Sequence, residues 1–377
     1  MSSSETSKRS IKSNQKNSQF SNEQMKKSLN QEIVESLKSL SDFSLLKQNT
    51  ASENEFHYTS ISNGCDLPKQ PISIRYNEHF YFLPSSLNEL IDLKKQHPKA
   101  KTELLASSSP NDKFDYISTN MIDELKFIKI DKDQATGNKI LRIGASTTID
   151  DVFEFCLKDK TENRVFRALK NRIAVFASNQ TRSVACITGN IASAGASTDF
   201  TNFLPGVDAT LKVIDAATRK ARLVKFDNFF LGRFKTILKE TDVITEIFFN
   251  IDSLLLPGKR KDASEKVNTD HCFVYKISNR REICGCALSS TIRADISESP
   301  ESSDIINDIK ISFSKLSGVN PIGRAKKAEK FLIGKKFTLE NIQKAFQFID
   351  IEFPISDDLD DGLDKYRREL AHNVLLK

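Results

Sequence analysis

The chain has 377 residues, which allows about two or three domains. Its six cysteines form no C-x-x-C pair, which argues against a zinc ribbon or a cysteine-ligated iron–sulfur cluster. No apolar run of about 18 residues is present, so no membrane span is expected. The net charge of +6 is too small to indicate nucleic-acid binding. With 13 glycines the chain has few places where its backbone can approach a phosphate closely.

The first 70 residues differ from the rest. They are rich in Ser, Lys, Asn and Gln and hold few large apolar side chains before Ile33. Such a segment cannot bury enough surface to offset its ordering entropy, so residues 1–70 are predicted to be a disordered polar segment. They lack the apolar region of a secretory signal and the Arg-rich pattern of a transit peptide. Together with the sparse, unpatterned cysteines, this predicts a reducing compartment, the cytoplasm.

Folded patterning begins near Ile72 and first predicts a mixture of short strands and amphipathic helices. The elements are a hairpin at 74–82, a helix that starts at the capping box Ser86–Glu89 and ends before Pro98, a strand at 139–144, a helix capped by Thr148 and a helix at 165–176. The helix after Thr148 has apolar residues at i, i+3, i+4, i+7 and i+8, which form one face.

After Gly189 the pattern changes to strands and then to a second α+β block. Strands are expected at 209–214, 221–226 and 246–251, followed by a polar loop that contains Pro257–Lys261. Beyond it we expect a strand at 309–316, helices at 324–332 and 338–349, and a final amphipathic helix through Leu363, Tyr366, Leu370 and Val374. The pattern as a whole predicts an α+β protein.

Two common nucleotide motifs are absent, because the chain has neither a GxGxxG nor a GxxxxGK[ST] sequence. Its five histidines are scattered, and no spacing predicts a metal site. The unusual segment is 183–199, which concentrates small and hydroxyl residues. Small residues let backbone N–H groups reach an anion, and Gly189 could adopt positive φ in a phosphate-binding turn. The same composition also fits a tightly packed segment with no ligand, and the residues alone leave both interpretations open.

Several motifs in a consistent order resemble the flavoprotein region of the molybdenum hydroxylase family, which includes the xanthine dehydrogenases. Phe176–Ile191 resembles the family's F-A-x-x-Q-V-R/K-S-V-A-S-V-G-G-N-I, and Ser197–Asp199 resembles its I-S-D. Phe229–Thr236 is similar to F-F-x-G-Y-R-K-T, and Tyr275–Glu282 to F-K-Q-A-S-R-R-E. The stretches Arg324–Glu329 and Tyr366–Ala371 resemble the C-terminal flavoprotein domain.

The resemblance implies a PCMH-type, vanillyl-oxidase-like FAD-binding domain at 71–254 and a CO-dehydrogenase-flavoprotein-like C-terminal domain at 268–377. The expected cofactor is FAD. The implied function is the FAD-dependent electron-transfer portion of a xanthine dehydrogenase-like oxidoreductase. Electrons would arrive from iron–sulfur and molybdenum-cofactor subunits or domains and leave to NAD or oxygen. Six scattered cysteines are not expected to supply an iron–sulfur domain, so the electrons would come from another chain.

The resemblance also assigns cofactor-binding residues, while it implies no catalytic residue and no metal ligand on this chain. Backbone N–H groups of Cys186, Ile187, Thr188, Gly189 and Asn190 would hold the FAD pyrophosphate. The remaining implied contacts are Phe176 packed on the cofactor, Asp199 as an acceptor, Ile244 against the ring system, and Lys276 at the flavin's polar edge, where positive charge favours reduced, anionic flavin.

The chain departs from the family pattern at three places near the expected cofactor. Thr188 replaces the first of two glycines, Ala106–Ser109 replaces a glycine-containing loop, and Ile283–Cys284 replaces an acidic pair. A second hypothesis therefore stands beside the first: a degenerate, non-catalytic relative that keeps the fold as a binding or scaffold module.

Overall fold

In the computed structural model the described residues are 72–76, 79–103, 114–134, 137–158, 163–251, 267–278, 285–298, 304–355 and 362–377. The predicted disordered segment 1–70 and the predicted loop Pro257–Lys261 lie outside the described residues.

The first half of the described chain alternates short strands and helices. Its elements are β1 (Ile72–Tyr76), β2 (His79–Leu83), α1 (Leu87–Gln96), β3 (Lys101–Glu103), β4 (Tyr116–Ser118), β5 (Ile128–Lys132), β6 (Lys139–Gly144), α2 (Ile149–Lys158), α3 (Arg164–Ala174), α4 (Asn179–Arg182), α5 (Ile187–Ala192), α6 (Phe200–Gly206), β7 (Thr210–Asp215), β8 (Lys220–Lys225), β9 (Phe230–Gly232), β10 (Lys235–Thr236) and β11 (Asp242–Asn250). One sheet has the order β1-β2-β4-β3, with β4 parallel to both β2 and β3. A second, antiparallel sheet has the order β5-β6-β11-β7-β8.

The second half is one antiparallel sheet with helices. Its elements are β12 (Val267–Ile277), β13 (Leu288–Glu298), β14 (Ile305–Ser314), β15 (Ile322–Arg324), α7 (Lys326–Leu332), α8 (Leu339–Glu352) and α9 (Asp364–Leu376). The strands follow the order β12-β13-β14-β15. The mixed helix and sheet content confirms the α+β prediction.

Two hydrophobic cores underlie this arrangement. One contains buried residues from Phe82 to Ile251, and the other contains buried residues from Leu288 to Leu375. Helix α3 packs against β12, and α6 packs against β13, β14 and β15, so these two helices join the halves. The seam between the halves therefore combines residues that precede and residues that follow the segment 252–266, which lies outside the described residues.

Local sequence signals explain where several elements begin. Ser86 Oγ accepts the N–H of Glu89 at 3.3 Å, and the Glu89 carboxylate accepts the N–H of Ser85 at 2.8 Å, so the predicted capping box forms with its return bond one residue earlier. Thr148 Oγ1 accepts the N–H of Asp151 at 3.0 Å, which confirms the predicted start of α2. Several predicted boundaries were wrong by two residues or more. Arg324 ends strand β15 and the helix begins at Lys326, while the strands predicted from 246 and 309 begin at Asp242 and Ile305.

None of the helices in the described ranges combines the length and the apolar character that a membrane span requires.

Gly144 ends β6 where the chain passes close to a neighbouring backbone, so Gly144→Ala is expected to lower the free energy of unfolding by about 3 kcal/mol. A Cβ at this position would lie 2.7 Å from the carbonyl carbon of Leu125 and 2.9 Å from Cδ1 of Phe127. The control is Gly137→Ala, where φ is +74° and no atom crowds the added Cβ, so only about 1–2 kcal/mol of backbone strain is expected. Urea unfolding of both variants checks the difference, and equal losses would contradict the steric argument.

Candidate functional site

The predicted pyrophosphate segment forms the short helix α5, which begins after Cys186. The Cys186 backbone is extended, with φ −124° and ψ 158°, and its Sγ accepts the N–H of Gly189 at 3.3 Å. Burial raises the pKa of the Cys186 thiol, so the group stays protonated at neutral pH. Cys186 thus acts as an N-cap in the way that a serine would.

Thr188 points into the protein interior. Its side chain is buried, and its hydroxyl donates to the carbonyl oxygen of Ala145 and lies 3.1 Å from Cys186 Sγ. The residue that replaces a family glycine therefore places its side chain toward the core, where it binds the end of β6. This orientation keeps the outer face of the turn free of the extra atoms.

Because of this contact, Thr188→Val is expected to lower the free energy of unfolding by about 1–3 kcal/mol, since the buried Ala145 carbonyl loses its hydroxyl donor. Thr188→Ser keeps the hydroxyl and serves as the control. Thermal unfolding of the two variants distinguishes them, and a valine variant as stable as the serine variant would refute the role of the hydroxyl.

Gly189 and Asn190 both lie within α5. Gly189 lies inside α5 and does not adopt positive φ, so that expectation was wrong; the non-glycine residues with positive φ nearby are Ala177 at 36° and Ala194 at 46°. The N–H of Asn190 donates to the Cys186 carbonyl at 3.2 Å, as helix geometry requires. Its Oδ1 accepts the N–H of Phe200 at 3.0 Å, so Asn190 caps α6.

Asp199 and Lys276 form a buried ion pair across the seam. Lys276 Nζ lies 2.7 Å from Asp199 Oδ1, and the two side chains are 1% and 8% exposed. The same ammonium donates to the carbonyl of Val175 at 3.1 Å. Asp199 precedes α6 and Lys276 lies in β12, so the tertiary fold joins two residues that are far apart in sequence.

Phe176 follows the end of α3, one residue after Val175, whose carbonyl accepts from Lys276. Its ring is 5.7 Å from that of the fully buried Phe200, between centroids. Phe200 in turn follows Asp199, so the ring pair adjoins the ion pair along both chain segments. Three of the residues predicted from the resemblance, Phe176, Asp199 and Lys276, are thus brought together.

Ile244 is buried in β11, opposite Val213. It belongs to the same hydrophobic core as Phe176, Cys186 and Ile187, and β11 contacts α5. The structure therefore places Ile244 on the strand that supports the helix.

A cavity of about 290 Å³ adjoins the segment just before Asp199. Its lining includes Gly195–Thr198 together with the side chains of Arg233, Phe234 and Lys315. Phe234 has φ +59° and Lys315 has φ +63°, conformations that non-glycine residues rarely adopt. Two cationic side chains and an exposed aromatic ring thus border a wall of small residues.

Two of the predicted departures lie outside the described residues, namely Ala106–Ser109 and Ile283–Cys284.

Sequence reasoning missed Phe200 and Ala145. Phe200 contacts Phe176 through its ring and Asn190 through its N–H, and Ala145 receives the Thr188 hydroxyl. The available signal for Phe200 was its position directly after the Ser197–Asp199 motif, where a large apolar residue follows a run of small ones. Ala145 carries no sequence signal, since it acts through a backbone carbonyl.

Two family models match the chain. Residues 74–249 match the family described as the FAD binding domain in molybdopterin dehydrogenase, and residues 273–377 match the CO dehydrogenase flavoprotein C-terminal domain. The two matches cover both halves of the described fold.

Curated relatives resemble the chain along most of its length. Xanthine dehydrogenase of Oryza sativa subsp. japonica is 25% identical over 314 residues, which are 80% of this chain and 21% of that protein. Aldehyde oxidase 4 of Mus musculus is 24% identical over 332 residues, 83% of this chain and 22% of that protein. The chain therefore spans about a fifth of the length of these relatives.

Solved structures share the fold. A chain of carbon monoxide dehydrogenase from Hydrogenophaga pseudoflava superposes with a TM-score of 0.63 at 21% identity, covering 81% of this chain and 96% of that one. A chain of quinoline 2-oxidoreductase from Pseudomonas putida 86 gives a TM-score of 0.58 at 18% identity, covering 78% and 92%. These structures share the fold, and the two family matches show that the chain belongs to the molybdenum hydroxylase family and carries its FAD-binding domain followed by its flavoprotein C-terminal domain.

Proposed function

We propose that the chain is the FAD-carrying electron-transfer portion of a xanthine dehydrogenase-like molybdenum hydroxylase. It takes electrons from iron–sulfur and molybdenum-cofactor subunits or domains and delivers them to NAD or oxygen. Its domains are 71–254 and 268–377. The observation that carries the proposal is the buried Asp199–Lys276 pair beside Phe176, because it places a cation, a carboxylate and an aromatic ring at the seam of the two matched domains.

The residues present fit FAD. Thr188, which stands where the family has a glycine, keeps its side chain buried on the core side of the turn, so its hydroxyl and methyl groups do not extend toward a ligand outside it. Arg233 and Lys315 border the adjoining cavity with positive charge, which suits a cofactor with an anionic pyrophosphate. When bound, FAD supplies hydride and single-electron chemistry, and the protein supplies binding and electrostatics.

The chain's own residues would hold FAD and shield it from solvent. The segment Cys186–Asn190 and the Asp199 carboxylate would provide polar contacts in addition to their bonds within the protein, while Phe176 and Ile244 would provide apolar surface. Lys276 carries a buried positive charge, which favours negative charge on a neighbouring group. None of these residues forms a covalent bond in this proposal.

One observation favours the scaffold hypothesis. The thiol of Cys186 accepts the Gly189 N–H, so this donor at the start of α5 already has an acceptor within the protein. A chain of that kind would hold partner proteins together without transferring electrons.

Anaerobic reduction of the FAD-loaded full chain tests the proposal against this alternative. NADH is expected to bleach the flavin absorbance if NAD is the acceptor, and admitting oxygen to dithionite-reduced protein is expected to restore it if oxygen is. A bound flavin that neither exchanges electrons with the NAD/NADH couple nor reoxidises in oxygen would contradict an electron-transfer function.

We place the protein in the cytoplasm as part of the same proposal. The cysteines in the described part of the chain, Cys156, Cys186, Cys272 and Cys286, are all free thiols, as expected in a reducing compartment.

A further inference from the structure

A second cation lies buried at the same seam. Arg172, in the last turn of α3, is 0% exposed. Its Nη1 donates to Ser289 Oγ at 2.6 Å, and its Nη2 donates to the carbonyls of Ser290 at 2.9 Å and Tyr275 at 3.3 Å. The guanidinium therefore ties α3, which leads into Phe176, to β12 and β13.

Arg172 has no carboxylate of its own among the described residues. Its three hydrogen-bond acceptors are neutral, and its Nε has no hydrogen-bond partner within the described part of the chain. Burial lowers the pKa of Arg172 to about 10, while the charge of Asp199 acts in the opposite direction. The group is still protonated at neutral pH, so a full positive charge lies in the interior.

Among the residues that the structure describes, the charges at the seam do not balance. Arg172 and Lys276 are two cations, and the carboxylate that acts on both is Asp199, which is already paired with Lys276. Burial raises the pKa of the nearby Cys286 thiol, so that group adds no negative charge at neutral pH. An uncompensated buried charge is costly, and a neighbouring anion reduces that cost.

We propose that Arg172 is a positioning residue whose unbalanced positive charge, beside the Asp199–Lys276 pair, favours the negatively charged reduced state of a bound flavin. A flavin that takes up two electrons and one proton gains one negative charge, which Arg172 stabilises through the field at the seam. The electrons come from the iron–sulfur partners of the proposed function, on which this inference rests.

The test measures the midpoint potential of FAD bound to the full chain, with dithionite as reductant. Arg172→Gln removes the charge and keeps donor atoms. It is expected to lower the affinity for reduced FAD relative to oxidised FAD about tenfold, which makes the two-electron potential about 30 mV more negative. Arg172→Lys keeps the charge and is expected to keep the wild-type potential.

The double variant Asp364→Asn/Arg367→Gln, which removes one positive and one negative charge, is the matched control. Arg367 is also 0% exposed, but Asp364 lies 3.0 Å from its Nη1 and neutralises it. This variant is expected to lose stability without shifting the potential. If Arg172→Gln does not fold, Arg172→Met, an uncharged residue that fills the space with apolar atoms, replaces it in the same comparison.

The outcomes separate the two proposals. An unchanged potential in the neutral Arg172 variant, or equal shifts in the glutamine and lysine variants, would overturn the role of the charge while leaving FAD binding intact. A wild-type chain without flavin absorbance after incubation with FAD would overturn the proposed function and this inference together.

Discussion

Replacing Lys276 by methionine is expected to lower the free energy of unfolding by about 3–5 kcal/mol. The substitution leaves the buried Asp199 carboxylate without its 2.7 Å partner and removes a donor from the Val175 carbonyl. Removing the ammonium while keeping the carboxylate is the costly way to break such a pair. Chemical denaturation at neutral pH measures the loss, and the same variant is expected to bind FAD more weakly.

The double variant Asp199→Asn/Lys276→Met is the control for that experiment. It removes both charges, so it is expected to be more stable than the single Lys276→Met variant. A single variant that loses less than about 1 kcal/mol would show that the pair is effectively solvated, contrary to its burial.

Phe200→Ala is expected to cost about 3–5 kcal/mol, because it empties a fully buried aromatic site. The ring of Phe200 packs against Phe176 at 5.7 Å and edge-on against Phe203 at 6.3 Å, between centroids. Its loss removes the support of Phe176, so FAD affinity is expected to fall with stability. Thermal unfolding and FAD titration of the same preparation measure both effects.

Two variants control for the loss of an aromatic ring. Phe200→Leu keeps most of the volume and is expected to cost less than the alanine variant. Phe234→Ala removes a ring that is 66% exposed and is expected to change stability by no more than about 0.5 kcal/mol. The account would be wrong if Phe200→Ala were as mild as Phe234→Ala.

Local signals predicted much of the fold. The capping residues Ser86 and Thr148 start the helices that their positions in the sequence indicate. The strand predicted at 139–144 is β6, and the apolar face after Thr148 lies on α2, where Ile149, Val152 and Cys156 are buried, although Leu157 at the i+8 position is 50% exposed. These elements could be predicted because hydrophobic periodicity and helix capping depend on residues that lie close together in sequence.

Helices α5 and α6 could not be predicted in this way. α5 contains Thr188, Gly189 and Asn190, which have low helix propensity. Tertiary contacts hold it instead, through the buried Ile187 and Ile191 and the Thr188 bond to Ala145. The same limit explains the wrong expectation at Gly189, since a small-residue run suits both a loop and a short helix.

The site was predicted through family resemblance more than through pattern. Asp199 and Lys276 lie far apart in sequence, and no local rule pairs them; the resemblance assigned both to one cofactor, and the fold joins them in one ion pair. Arg172 escaped both approaches, because an arginine in an amphipathic helix ordinarily faces solvent, and only the packing of β12 and β13 over α3 buries it.

The most direct measurement is the amount of FAD that the purified full chain holds after incubation with excess cofactor and removal of the unbound fraction. The account predicts one flavin per chain, with oxidised-flavin absorbance, and a reduced content in the Lys276→Met variant. A colourless wild-type chain would contradict the account, and a Lys276→Met variant with unchanged flavin content would contradict the placement of the site.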